Sequence, residues 1–115
     1  MSIDRVAPQS VEAEQSVLGS ILIDPEAVLK VADFLHGTDF YRPQHADIYD
    51  AMLALQNQRE PIDLVTLGDE LTPRDRLEAL GGPAYLATLM NAVPTAVHVE
   101  HYGRIVEQKA VLRNL

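Results

Sequence analysis

"HYGRIVEQKAVLRNL", residues 101–115, reads as a helix that meets no stop signal: no Gly, Pro or Asn-Gly turn follows its last periodic residue. With Tyr102 at zero on a wheel of about 100° per residue, Val106, Val99 and Ala110 fall at roughly +40°, +60° and +80°, and Ile105 and Leu112 at roughly −60° and −80°. The apolar arc spans roughly 160°, wider than one packing seam needs. Val111 falls at about 180°, on the back of the helix. A terminal helix lying deep in a groove of its own domain would account for the arc. A helix shared between its own domain and a second chain or segment accounts for Val111 as well. The second reading is favoured, and it makes Val99, Tyr102, Ile105, Val106 and Leu112 the expected packing and pairing surface.

Upstream, the helical period prevails and strand-like alternation is nearly absent. Residues 1–9 are expected to form a loose arm. Ser10 can cap a helix running to about Ile23, with Glu12 and Glu14 near its positive end and Val17, Leu18, Ile21 and Leu22 on its apolar stripe. Gly19 inside that helix implies a close approach by a neighbour. Asp24-Pro25 opens a second helix, expected to reach Leu35 with Val28, Leu29, Ala32 and Leu35 on one face. A third helix is expected from Pro43 to Gln56, burying Ile48, Tyr49, Met52 and Leu53. Asp63 caps a short fourth that carries Leu64, Leu67 and Leu71. Thr72-Pro73-Arg74-Asp75 resembles a capping box that opens another turn, closed by Gly81-Gly82. Pro83 starts a helix with Tyr85, Leu86, Leu89, Met90 and Val93. The last helix starts between Ala96 and His98. The expectation is an all-α bundle of about six helices, with a globular part over 10–95 and the long helix over 96–115.

The chain has 115 residues, a length that suits one domain. It has no Cys, which excludes disulfides and thiolate metal sites. Neither a signal-peptide pattern nor an apolar run of membrane-spanning length is present, so a soluble cytoplasmic domain is expected. With 9 basic and 17 acidic residues, the net charge is −8. DNA binders draw most of their affinity from Lys and Arg on phosphates, so little or no direct nucleic-acid binding is expected.

Catalytic signals are weak. His98 and His101 form an i, i+3 pair that two metal ligands could use, but a site needs a third or fourth ligand and none is evident. No pair of carboxylates stands out as acid and base, no nucleophile elbow is present, and no phosphate-cradling G-x-x-x-x-G-K-[ST] occurs. A small metal-dependent enzyme and a helix-turn-helix DNA binder are therefore the weaker alternatives to a protein-binding domain.

Five blocks carry a more specific signal: "PQSVEAEQSVLGSILIDPEAV", "DFYRPQHADIYDAM", "PIDLVTL", "GGPAYLATLMNAVPTA" and "VEHYGRIVEQKAVLR". In this order, over roughly residues 8 to 113, they resemble the N-terminal domain of the bacterial replicative DNA helicase (DnaB) family. The resemblance implies a helical bundle followed by a helical hairpin, whose first arm would be the unfinished helix. Hairpins of two subunits pair in this family, and three pairs form a collar on a hexamer. The collar also binds the C-terminal helicase-binding domain of primase, and a helicase loader is a further candidate partner. On the matching positions, Glu12, Glu78 and Tyr85 are the implied primase contacts. Glu12 also reads plainly as a charge at a helix start, and Tyr85 as a core aromatic with its hydroxyl at the surface. The resemblance implies no catalytic residue, cofactor or metal in this stretch. ATP and Mg²⁺ would belong to a 5′–3′ translocating motor beyond Leu115. A stand-alone adaptor of the same ancestry, without a motor, is the main alternative. Many family members carry Gly before the Glu-Pro of the third block. Here that place holds Arg59, and Asn57 is expected to take the left-handed turn position instead.

Overall fold

Helix α1, Val11–Ile23, begins where Ser10 leaves the extended conformation and its hydroxyl accepts the Ala13 N–H at 3.2 Å. This is the N-cap expected from the sequence. The coordinates are a computed structural model, and residues 7–72 and 81–115 are described. Four more α-helices follow among them: α2 Pro43–Asn57, α3 Leu64–Leu71, α4 Pro83–Met90 and α5 Val99–Arg113. No strand occurs among the described residues. The capping pattern at Thr72–Asp75 runs into residues outside them.

α1 is the central helix. It packs against α5, α4 and α2, while α3 packs on α2 and α4. Val17, Leu18 and Ile21 of α1, Ile48, Tyr49 and Met52 of α2, Leu67 and Leu71 of α3, Leu86 and Leu89 of α4, and Val99 and Val106 of α5 are buried in one continuous core. Gly19 sits where α1 crosses α4. A Cβ there would run into the carbonyl oxygen of Leu89, so the close approach requires the missing side chain. Tyr49 is buried in full and its hydroxyl donates to the Leu35 carbonyl at 2.9 Å. Burial, reinforced by Asp39, Asp50 and Asp33, raises its pKa above the usual phenol range. At the start of α3, Asp63 accepts the Thr66 N–H at 2.9 Å while the Thr66 hydroxyl accepts the Asp63 N–H. The Thr66 backbone bond is the main reason that the Asp63 carboxyl is held below its ordinary pKa.

Three expectations are corrected. Asp24-Pro25 does start a helix, with the Asp24 side chain accepting the Glu26 N–H, but it is a 3₁₀ helix over Pro25–Lys30 followed by turns. An α-helix to Leu35 does not form. With three residues per turn, Val28 and Val31 share a face and Leu29 rotates out to 61% exposure. Leu53 is half-buried rather than a core residue. After α2 the left-handed residue is Arg59, at φ +59°, not Asn57. Asn57 still belongs to α2, and the chain turns two residues later, where Glu60 N–H bonds back to the Leu55 carbonyl at 2.9 Å.

Candidate functional site

A buried polar cluster ties three helices together. Glu14 lies on the stripe of α1 at the i, i+3, i+4, i+7 spacing with Val17, Leu18 and Ile21, and is 1% exposed. His45 stands in the same relation to Ile48, Tyr49 and Met52 on α2, and is 0% exposed. Glu14 Oε1 is 2.8 Å from His45 Nδ1, and Oε2 accepts the Tyr41 N–H at 2.7 Å. Oε1 also accepts the Arg42 N–H at 3.4 Å. A carboxylate offers acceptors alone, so Nδ1 carries the ring proton. His45 Nε2 lies 2.5 Å from the Tyr85 hydroxyl. The Tyr85 oxygen in turn accepts from Gln15 Nε2 at 3.4 Å, and the His45 and Tyr85 rings stack at 5.9 Å.

The cluster holds α4 in register with α1 and α2. Taking a carboxylate out of water costs several kcal/mol, which these bonds offset. Chemically it resembles a general base with its orienting acid, but its far end is a phenol on the fold's own α4. The geometry is that of a brace.

Above the brace, a groove of about 510 Å³ runs between α1 and α4. Glu12, Gln15 and Ser16 line one wall, and Thr88, Leu89, Asn91 and Ala92 the other. Glu12 is exposed at the mouth and Tyr85 is half-buried beside it, joined through Gln15 one turn from Glu12. Two of the three expected primase contacts therefore share one face. Glu78 lies outside the described residues.

Along α5, Val99 and Val106 are buried in the chain's own core, and Tyr102 and Ile105 pack partly against it. Gly103 is buried where α5 meets the turn after the 3₁₀ helix, and a Cβ there would stand 2.9 Å from Val31 Cγ1. The far end differs. Val111 is 57% and Leu112 49% exposed, and both line a shallow depression with Glu107 and Gln108. Arg113 pins this end by donating to the Pro8 carbonyl at 2.8 Å and the Asp39 carbonyl at 2.6 Å, with its guanidinium over the Tyr41 ring.

His98 and His101 are both exposed. Among the described residues no group of three or more His, Cys, Asp or Glu is placed to hold a metal ion. No helix among them is long and apolar enough to cross a membrane. Reading from sequence missed Glu14 and His45. The signal was present, since each is a polar residue placed squarely on an apolar stripe.

Fold and site together define a small all-helical domain whose prominent features are surfaces and a structural brace. Residues 6–108 match the family described as DnaB-like helicase N terminal domain, and the chain belongs to that family. It is 50% identical over 112 residues to the replicative DNA helicase DnaB of Geobacillus stearothermophilus, covering 97% of this chain and 25% of that protein. It is 49% identical over 112 residues to the replicative DNA helicase DnaC of Bacillus subtilis (strain 168), again covering 97% and 25%. The chain thus spans about a quarter of the length of these relatives. The crystal structure of the N-terminal domain of DnaB helicase from Mycobacterium tuberculosis matches with a TM-score of 0.93 at 46% identity, over 96% of this chain and 76% of that one.

Proposed function

We propose that this chain is the collar domain of a hexameric replicative helicase, pairing subunits through α5 and docking the C-terminal domain of primase on the α1/α4 face. It works in the cytoplasm and catalyses nothing itself. ATP and Mg²⁺ are handled by the motor of the parent protein. The observation that carries the docking half is the shared face: Glu12 lines the α1/α4 groove, and Tyr85, 73 positions away in the chain, is bonded to Gln15, which lines the same groove. The pairing half is supported by α5, which spends Val99 and Val106 on its own core and leaves Val111 and Leu112 uncovered.

A calorimetric titration with the C-terminal domain of primase tests the docking. A 1:1 complex is expected, weakened about tenfold or more in Glu12→Lys, because hydrogen-bonded charges carry about 1.5–3 kcal/mol each. Glu12 is exposed, so the variant is expected to fold normally. Absence of binding by the unaltered chain would end the docking reading.

A further inference from the structure

The polar side chains of the α1/α4 groove share a property that none shows singly. Ser16 Oγ donates its proton to the Glu12 carbonyl at 2.7 Å. Thr88 Oγ1 donates to the Ala84 carbonyl at 3.0 Å, and Asn91 Nδ2 donates to the Ala87 carbonyl at 3.2 Å. Gln15 Nε2 donates to the Tyr85 hydroxyl at 3.4 Å. A hydroxyl has one proton and two acceptor lone pairs, so Ser16 and Thr88 have only acceptance left to offer a ligand. The Glu12 carboxylate has nothing but acceptors. The carbonyl oxygens of Gln15 and Asn91 add two more, against one remaining N–H on each amide.

None of the described lining residues is Lys, Arg or His. The groove sits where α4 ends, the negative end of that helix dipole, and beside the start of α1, where the Glu12 carboxylate stands against the positive end. The chain as a whole carries a net charge of −8. A carboxylate-bearing ligand would meet lone pairs on both walls, with only the remaining N–H of Gln15 and of Asn91 to bond it. A ligand made of donors and bearing positive charge would meet partners on both.

We infer that the α1/α4 groove is a receptor for an arginine side chain presented by the protein that docks there. The guanidinium offers five N–H donors in one plane and accepts nothing, so it can bond to both walls at once. A lysine ammonium has three donors around a point and suits two opposed walls less well. This inference rests on the docking reading above and adds the chemistry by which the partner is selected.

The test places a cation in the groove from the chain's own side. Thr88 is exposed on α4, Lys is at least as good a helix former as Thr, and a cation near a helix C-terminus is favourable. Thr88→Lys should therefore keep its circular dichroism melt. Thr88→Val removes the acceptor oxygen while keeping the shape. Both would be titrated with the C-terminal domain of primase beside the unaltered chain. Thr88→Lys is expected to weaken binding at least tenfold and Thr88→Val about threefold or more. Arginine-to-lysine substitutions in the partner are expected to reproduce the loss at one position. If the unaltered chain binds and Thr88→Lys binds within twofold of it, the arginine receptor is wrong while the docking stands. If the unaltered chain does not bind, both fall together.

Discussion

At the scale of single residues, the fold is decided by a few polar atoms in places where apolar ones would be simpler. Glu14 and His45 could be replaced on paper by a Leu pair of similar volume. Their retention fixes which face of α4 meets α1, because the Tyr85 hydroxyl has one position that satisfies His45 Nε2. Removing one partner strands the other. His45→Ala should destabilise the fold by about 3 kcal/mol, read as a shift in the urea midpoint without a change in slope. A loss below about 1 kcal/mol would mean that water replaces the imidazole and that the brace is dispensable. Arg59 is the opposite case. At φ +59° a side chain costs about 1–2 kcal/mol that Gly does not incur, offset in part by the greater freedom of Gly when unfolded. Arg59→Gly should therefore stabilise by up to about 1 kcal/mol. A lowered melting temperature would show that the unfolded-state freedom of Gly outweighs the strain at Arg59.

The elements show which parts of the fold were legible in the sequence, and why. Ser10, Asp24 and Asp63 announced helix starts because capping is a local matter of one side chain and one turn of backbone. The core stripe of α1, Ile48, Tyr49 and Met52 of α2, and Leu86 and Leu89 of α4 followed from periodicity, whereas Tyr85 and Met90 are half-buried and Val93 lies past the end of α4. The segment after Asp24 did not, since Asp-Pro opens a 3₁₀ and an α-helix alike. What separates them is whether Val31 and Leu35 can reach the core, and that is set by α5 and α2. Glu14 and His45 are polar residues on apolar stripes, a signal that the reading from sequence passed over. Their pairing joins positions 31 apart, and no local pattern carries that. On the candidate site, the position of Glu12 at a helix start could be read from sequence, whereas the groove it borders depends on how α4 crosses α1. Gly19 controls that crossing. Gly19→Ala should push the Leu89 carbonyl, and α4 with it, away from α1, destabilise by about 1–3 kcal/mol and weaken partner binding together with it. An unchanged melt with intact binding would show that α4 can shift without consequence and that the close crossing does not shape the groove.

For the whole molecule, the two candidate surfaces draw on different residues of one core. The docking groove uses the first turns of α1 and the end of α4. The uncovered apolar end of α5 lies beyond the last buried residue of that helix, Ala110. On the proposed function, docking through the groove alone would leave Val111 and Leu112 free for pairing. The measurement that tests this most directly is a ¹⁵N-resolved NMR titration of the chain with the C-terminal domain of primase. The predicted result is a compact set of shifted amides at Glu12, Gln15, Ser16, Thr88 and Asn91, with those of Val111 and Leu112 unmoved. Shifts centred on the other apolar depression, the one lined by Leu22, Leu29 and Ile62, would contradict the assignment of the docking face. So would shifts centred on Val111 and Leu112.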